Sequence, residues 1–125
     1  LEGIYPILGP GFISVRNTGS YDRNIVHLKH SSGADVNVIA IYDMTGGLGV
    51  MELIGTAGFV QLSHMDTFYS FKTQLQSFIS YLRTGERPFP FSETEECMKI
   101  IISGIRSREE GGREVFLDEI KTQKA

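Results

Sequence analysis

The sequence contains one cysteine, Cys97, so no internal disulfide can form. An oxidising compartment gains no support from that count, and a cytoplasmic setting is the expectation. No apolar run approaches the roughly 20 residues that cross a bilayer. There is no excess of positive charge either: 12 Lys and Arg stand against 15 Asp and Glu, a net −3 at pH 7. That balance lacks the electrostatic footprint of a nucleic-acid binder, and no basic run suits an anionic membrane. The three histidines are not spaced i, i+4 from one another or from the cysteine on a predicted helix, which gives a metal site little to stand on. His27 and His30 are an odd number of residues apart in a predicted strand, so they point to opposite faces. Nor does the chain open on a methionine or a targeting segment; Leu1-Glu2-Gly3 reads as the start of a piece of a longer polypeptide.

What is present suits one ordinary globular domain over residues 1–125. The mass is 13.9 kDa, with 41% hydrophobic and 22% charged residues, and a chain of this size buries about two-thirds of its surface on folding. Glu2 to Leu8 reads as the tail of a helix stopped by Gly9-Pro10-Gly11. Phe12 to Val15 is a predicted strand, followed by a turn over Asn17 to Asp22. Ile25 to His30 and Val36 to Tyr42 are the next two strands. The second is apolar on both faces towards its end, which predicts a central strand covered on each side. Val50 to Ile54 and Phe59 to Ser63 form a hairpin around Gly55-Thr56-Ala57-Gly58. Such short connections require antiparallel pairing.

Two helices follow. Phe68, Phe71, Leu75, Phe78, Ile79 and Leu82 recur at helical spacing and predict a core-facing stripe rather than a cofactor box, ending at Thr84-Gly85. Ser92-Glu93-Thr94-Glu95 fits a capping box, with Met98, Ile101, Ile102 and Ile105 as the apolar stripe behind it. Val115 to Leu117 closes the sheet, and Lys121 to Ala125 reads as a frayed end. The predicted fold class is α+β: a mostly antiparallel sheet with helices on one face and the other face open. An open face carrying Ile39 and Ile41, or Val36 and Val38, predicts a homo-oligomer through the sheet.

Catalytic material is sparse. His64 with Asp66 could form an acid/base pair, but a carboxylate or hydroxyl just before Phe68 is better suited to capping the helix. Gly46-Gly47-Leu48-Gly49 lacks the spacing of a dinucleotide or phosphate loop and reads as a turn or bulge. Cys97 reads as a buried small side chain. Arg106, Arg108, Glu109 and Glu110 read as a solvated helix end. The residues alone therefore describe an α+β domain without a self-sufficient active site.

The cadence of the second half carries a resemblance. Phe71-x-x-x-Leu75-x-x-Phe78-Ile79-x-x-Leu82-Arg83-Thr84-Gly85 leads through prolines to Ser92-x-x-Glu95. Ile102-x-x-Ile105-x-Ser107-x-x-x-Gly111-Gly112-x-x-Val115 follows, and the Leu53–Val60 stretch supplies a glycine-flanked hairpin. In order and spacing these segments resemble the C-terminal domain of the Gfo/Idh/MocA oxidoreductases, the family of glucose–fructose oxidoreductase and inositol dehydrogenase. The resemblance implies a two-domain parent. Its N-terminal Rossmann domain would bind NAD or NADP, and this domain would supply substrate contacts and the oligomer interface to act on a sugar, polyol or related carbohydrate.

The resemblance also implies that this piece binds no cofactor or metal, lacks the catalytic histidine, and is inactive alone. Leu8-Gly9 and Phe12-Ile13-Ser14-Val15 match the end of the family's histidine-bearing segment. That match makes Glu2 and Tyr5 the candidate substrate-pocket residues. A solvent-facing helix position for Glu2 and core packing or an exposed helix face for Tyr5 are the alternatives. Two other readings stand beside this one: a non-catalytic ligand-binding or scaffold module, and a stand-alone enzyme using His64 and Asp66.

Overall fold

Strands occupy the period-two stretches and every pairing between them is antiparallel, in a computed structural model that describes residues 1–44, 49–63 and 66–121. A 3-10 turn, Glu2–Ile4, leads into α1, Tyr5–Leu8. The strands are β1, Phe12–Asn17; β2, Arg23–His30; β3, Asp35–Ile41; β4, Val50–Gly55; β5, Gly58–Ser63; and β6, Val115–Phe116. The long helices are α2, Thr67–Thr84, and α3, Phe91–Glu109. The architecture is α+β, as expected. The strands form two sheets, a four-stranded one in the order β3-β2-β1-β6 and the β4–β5 hairpin.

The chain divides into two compact units, Leu1–Met44 with Phe89–Ala125, and Thr45–Pro88. The first has a core of Tyr5, Phe12, Val15, Leu28, Ile100 and Leu117, with α3 packed on the inner face of the four-stranded sheet. Val36 and Val38 of β3 turn towards that core, while Ile39 and Ile41 face outwards and are exposed. The expectation that β3 is a central strand is therefore corrected. Among the described residues it is the sheet's outermost strand, and its outward isoleucines are not covered.

The contact face of α3 also differs from the predicted one. Met98, Ile101, Ile102 and Ile105 are exposed, and the helix buries Ile100, Ser103, Gly104 and Ser107 instead. Both sets follow the same i, i+3, i+4, i+7 spacing, so periodicity alone does not choose between them. The small residues allow a close approach: a Cβ added to Gly104 would lie 3.7 Å from Val15 Cγ1. At that range Ser107 Oγ accepts from Asn17 N at 2.9 Å and donates to the Arg113 carbonyl. A large apolar stripe could not have let the serine reach β1. The predicted capping box is not formed either. Pro90, in extended conformation, occupies the N-cap, no side chain caps the helix, and Ser92 lies inside it.

The last turn of α3 is the solvated end expected, with Glu109 and Glu110 exposed and Arg106 and Arg108 half-buried, and its charges are paired. Arg106 bonds Glu110, Arg113 bridges Glu110 and Glu119, and Glu119 Oε1 accepts from Phe116 N at 2.9 Å. The Arg113 guanidinium and the Phe116 N–H together pull the Glu119 carboxyl down to about 2. Glu110 is lowered by Arg106 and Arg113, and Glu114 by Ser14 and Lys29. Carboxyls depressed in the folded state favour it above their unfolded value of about 4.3, and that advantage is lost as they protonate. We expect stability to fall from about pH 4.5 to about 2, read as a declining urea midpoint. A midpoint that stays flat across this window would contradict the network.

In the second unit the predicted hairpin forms, pairing from Val50 with Ser63 to Gly55 with Gly58. Asp66 caps α2 by accepting from Tyr69 N at 2.8 Å, and Gly85 ends it at φ 74°. The aromatic stripe on α2 was expected in the core, but no residue of α2 is buried. Phe68 is 78% exposed, and Phe71, Phe78 and Leu82 are more than half exposed.

Candidate functional site

The two candidate substrate-pocket residues separate in the structure. Glu2 is exposed on the 3-10 turn. Tyr5 is only 8% exposed and belongs to the core. Pro6 at the start of α1 and Gly9 at its end, φ 72°, limit the helix to one turn. Gly9 N closes that turn on Tyr5 O at 2.8 Å. The turn directs Tyr5 inwards onto Phe12, ring centroids 5.8 Å apart, and Phe12 meets His30 edge-on at 4.9 Å.

The Tyr5 hydroxyl is fully enclosed and makes no hydrogen bond of normal geometry, although Cys97 and Glu96 flank it. Burial, with those two neighbours adding to it, pushes the phenol well above its ordinary range. A neutral hydroxyl held this way packs the core; its ring offers no face to a ligand. Cys97 is half-buried against the same core.

Glu96 has a definite structural task. Its Oε1 accepts from Gly11 N and Phe12 N, both at 2.9 Å, across some eighty residues of sequence. It fixes the chain reversal between α1 and β1 onto α3. Nothing in the local pattern around Glu96 distinguishes it from its neighbours Glu93 and Glu95, so sequence reasoning passed over it.

Neither described histidine is placed for acid/base work. His30 is buried. Ser32 N donates to its Nδ1 at 3.1 Å, so that nitrogen carries a lone pair. The proton then sits on Nε2, which donates to Pro10 O at 3.2 Å. Both ring nitrogens serve to hold the loop. His27 lies on the opposite, outer face, as strand alternation predicts, with Nε2 3.2 Å from Asp35 Oδ1 and Nδ1 3.0 Å from Asn37. Ser14, opposite Lys29 in the β1–β2 ladder, donates to Glu114 at 2.6 Å. With Asp35 and Asn37 as its partners, the imidazole is paired without a nucleophile among the described residues.

Asp66 is engaged in capping α2. His64, the Gly46-Gly47-Leu48 run and the predicted frayed end beyond Lys121 lie outside the described residues. Among the described residues no group of three or more His, Cys, Asp or Glu is arranged to hold a metal ion, and no helix is long and apolar enough to cross a membrane.

Polar groups near α3 tie it to β1 and β2. Asn17 Nδ2 donates to Asn24 Oδ1 at 2.9 Å, and Arg108 Nη1 donates to the same oxygen at 2.8 Å while stacking 5.3 Å over the Tyr21 ring. A shallow groove along α3 is lined by Phe91, Met98, Ile102 and Ile120. Glu95, Lys99 and Lys121 rim that groove, and a second, open pocket is lined by Ser20, Asp22, Arg23, Tyr42 and Asp43. No family model, no curated protein and no solved structure matches the chain.

Proposed function

We propose that this chain is the substrate-side and assembly domain of an NAD(P)-dependent oxidoreductase acting on a sugar, polyol or related carbohydrate. Alone it is inactive. The resemblance of the Phe71–Val115 segments to the Gfo/Idh/MocA family supports the enzyme class. One structural observation carries the assembly role. Every described residue of β4, β5 and α2 is partly or fully exposed, including Ile54, Phe59, Phe68, Phe71 and Phe78. A lone hairpin is marginal in water, and exposed apolar side chains in this number call for a covering surface. On this reading the chain forms a homo-oligomer through its sheet and meets a Rossmann domain of the parent polypeptide, in the cytoplasm. NAD or NADP belongs to that Rossmann domain, and the substrate contacts here are those of the α1 region, with Glu2 as its exposed acidic group and Tyr5 as the residue that anchors it.

Two measurements test the proposal. Titration of the chain with NADH and NADPH, followed by nicotinamide fluorescence, is expected to give no saturable signal, because the cofactor cradle lies in the other domain. Sedimentation velocity is expected to show a dimer or larger species. Saturable micromolar binding overturns the division of labour, and a monomer at high concentration overturns the assembly role.

A further inference from the structure

The edge of the four-stranded sheet at β3 has a fixed hydrogen-bond phase. His30 N donates to Ala34 O at 3.0 Å and Tyr42 N donates to Asp22 O at 2.9 Å. The pairing of β2 with β3 runs without a break from Arg23·Ile41 to Lys29·Asp35. In an antiparallel ladder, bonded and non-bonded pairs alternate. Val36, Val38 and Ala40 therefore spend their backbone groups on β2. Asp35, Asn37, Ile39 and Ile41 turn theirs outward, away from the sheet.

Within its own sheet this edge is unpaired. β3 is seven residues long, without proline, lysine or a bulge, and Ile39 is 66% exposed. The opposite edge is blunted: β6 has two residues, and Glu119 already accepts the Phe116 N–H. Native sheets seldom leave a long, flat, apolar edge unpaired.

We propose that β3 pairs with β3 of a second copy, antiparallel about a twofold axis at Val38, to continue the sheet to eight strands. This rests on the self-association reading above and specifies its geometry. The strand is its own complement. About Val38, Asn37 meets Ile39 of the other copy, Asp35 meets Ile41, and each residue stays on its own face of the sheet. Every outward N–H and C=O then finds a partner.

Charge agrees with this register. Asp35 is the only charged residue of β3. It would lie two strands, about 10 Å, from Arg23 of the other copy, beyond the Ile41 that Arg23 flanks. That distance is about one Debye length at 0.1 M salt, so attraction persists, and symmetry applies it twice. On the outer face each copy's Ile25–Ile39 pair would meet the other's diagonally, Ile39 beside Ile39 across the axis.

Two variants of the full chain test this. Asn37→Pro removes an outward N–H without touching the β2 ladder, and is expected to weaken the dimer about a hundredfold by sedimentation equilibrium. Val38→Cys in a Cys97→Ala background places two thiols at a non-bonded pair across the axis. Mild oxidation is expected to give a covalent dimer on a non-reducing gel. A folded Asn37→Pro protein as dimeric as the parent overturns the edge pairing, as does a dimeric Val38→Cys protein that fails to cross-link; either result leaves self-association itself intact. A parent chain that stays monomeric overturns both. Should Asn37→Pro not fold, the cross-link decides.

Discussion

Gly19→Ala is expected to cost about 3 kcal/mol, the upper end of what overpacking usually imposes. The turn between β1 and β2 is folded tightly over this residue. Thr18 N donates to Ile25 O at 3.0 Å, Ser20 N to Arg23 O at 2.8 Å, and Gly19 N to Asn17 Oδ1 at 3.0 Å. A methyl group at Gly19 would sit 2.0 Å from Arg23 O, 2.6 Å from Ile25 N and 2.9 Å from Asn24 Cα. All three are backbone atoms, so no rotamer change relieves the clash; the turn itself must open. Opening it would also break the Asn17–Asn24–Arg108 cluster. Gly33→Ala is the control. Its φ of +87° is unfavourable for alanine but the space around it is empty, so only the conformational cost of about 1–2 kcal/mol applies. Urea unfolding of the two variants should separate them; equal losses would show that the β1–β2 turn is not held as described.

Leu28→Ala is the second large effect, expected at about 2–5 kcal/mol. Leu28 is fully buried at the centre of the sheet, opposite Val15 on β1 and Val36 on β3, and belongs to the core cluster with Ile100 of α3. Truncation removes transfer energy and leaves a cavity under a helix whose close approach is set by Gly104, so the walls have little room to collapse. A domain of this size is stable by about 5–15 kcal/mol in total. Ile7→Ala, at a position 43% exposed, should change stability by about 0.5 kcal/mol or less. Thermal or urea melts decide; a Leu28→Ala loss no larger than that of Ile7→Ala would mean that the core lies elsewhere.

The sequence yielded the elements more readily than their partners. Alternation in Ile25–His30 and Val36–Tyr42, the Gly55–Gly58 turn, the Gly9 and Gly85 stops and the Asp66 cap each depend on neighbours in sequence, and each is where the local pattern puts it. Which stripe of α3 faces the sheet depends on the small residues Ser103, Gly104 and Ser107 matching Val15 and Asn17, roughly ninety positions away. No window of helical length contains that information. The edge position of β3 is likewise a property of the assembled sheet, since an apolar strand reads the same whether its far side is covered by its own chain or by another molecule. At the candidate site, Tyr5 as a core residue was one of the legible alternatives. Glu96 was not, because its partners are the backbone N–H groups of Gly11 and Phe12 at the far end of the chain.

The division of the first unit into Leu1–Met44 and Phe89–Ala125 has a consequence for biosynthesis. The β1–β3 meander leaves the ribosome complete except for its cover, α3. At about 5–20 residues per second, the intervening 44 positions from Thr45 to Pro88 delay that helix by about 2–9 s. Throughout this interval Val15, Leu28 and Val36 lie bare to water beside an unpaired strand edge. The nascent chain is then most open to capture by a chaperone, or by a neighbouring nascent copy on the same message.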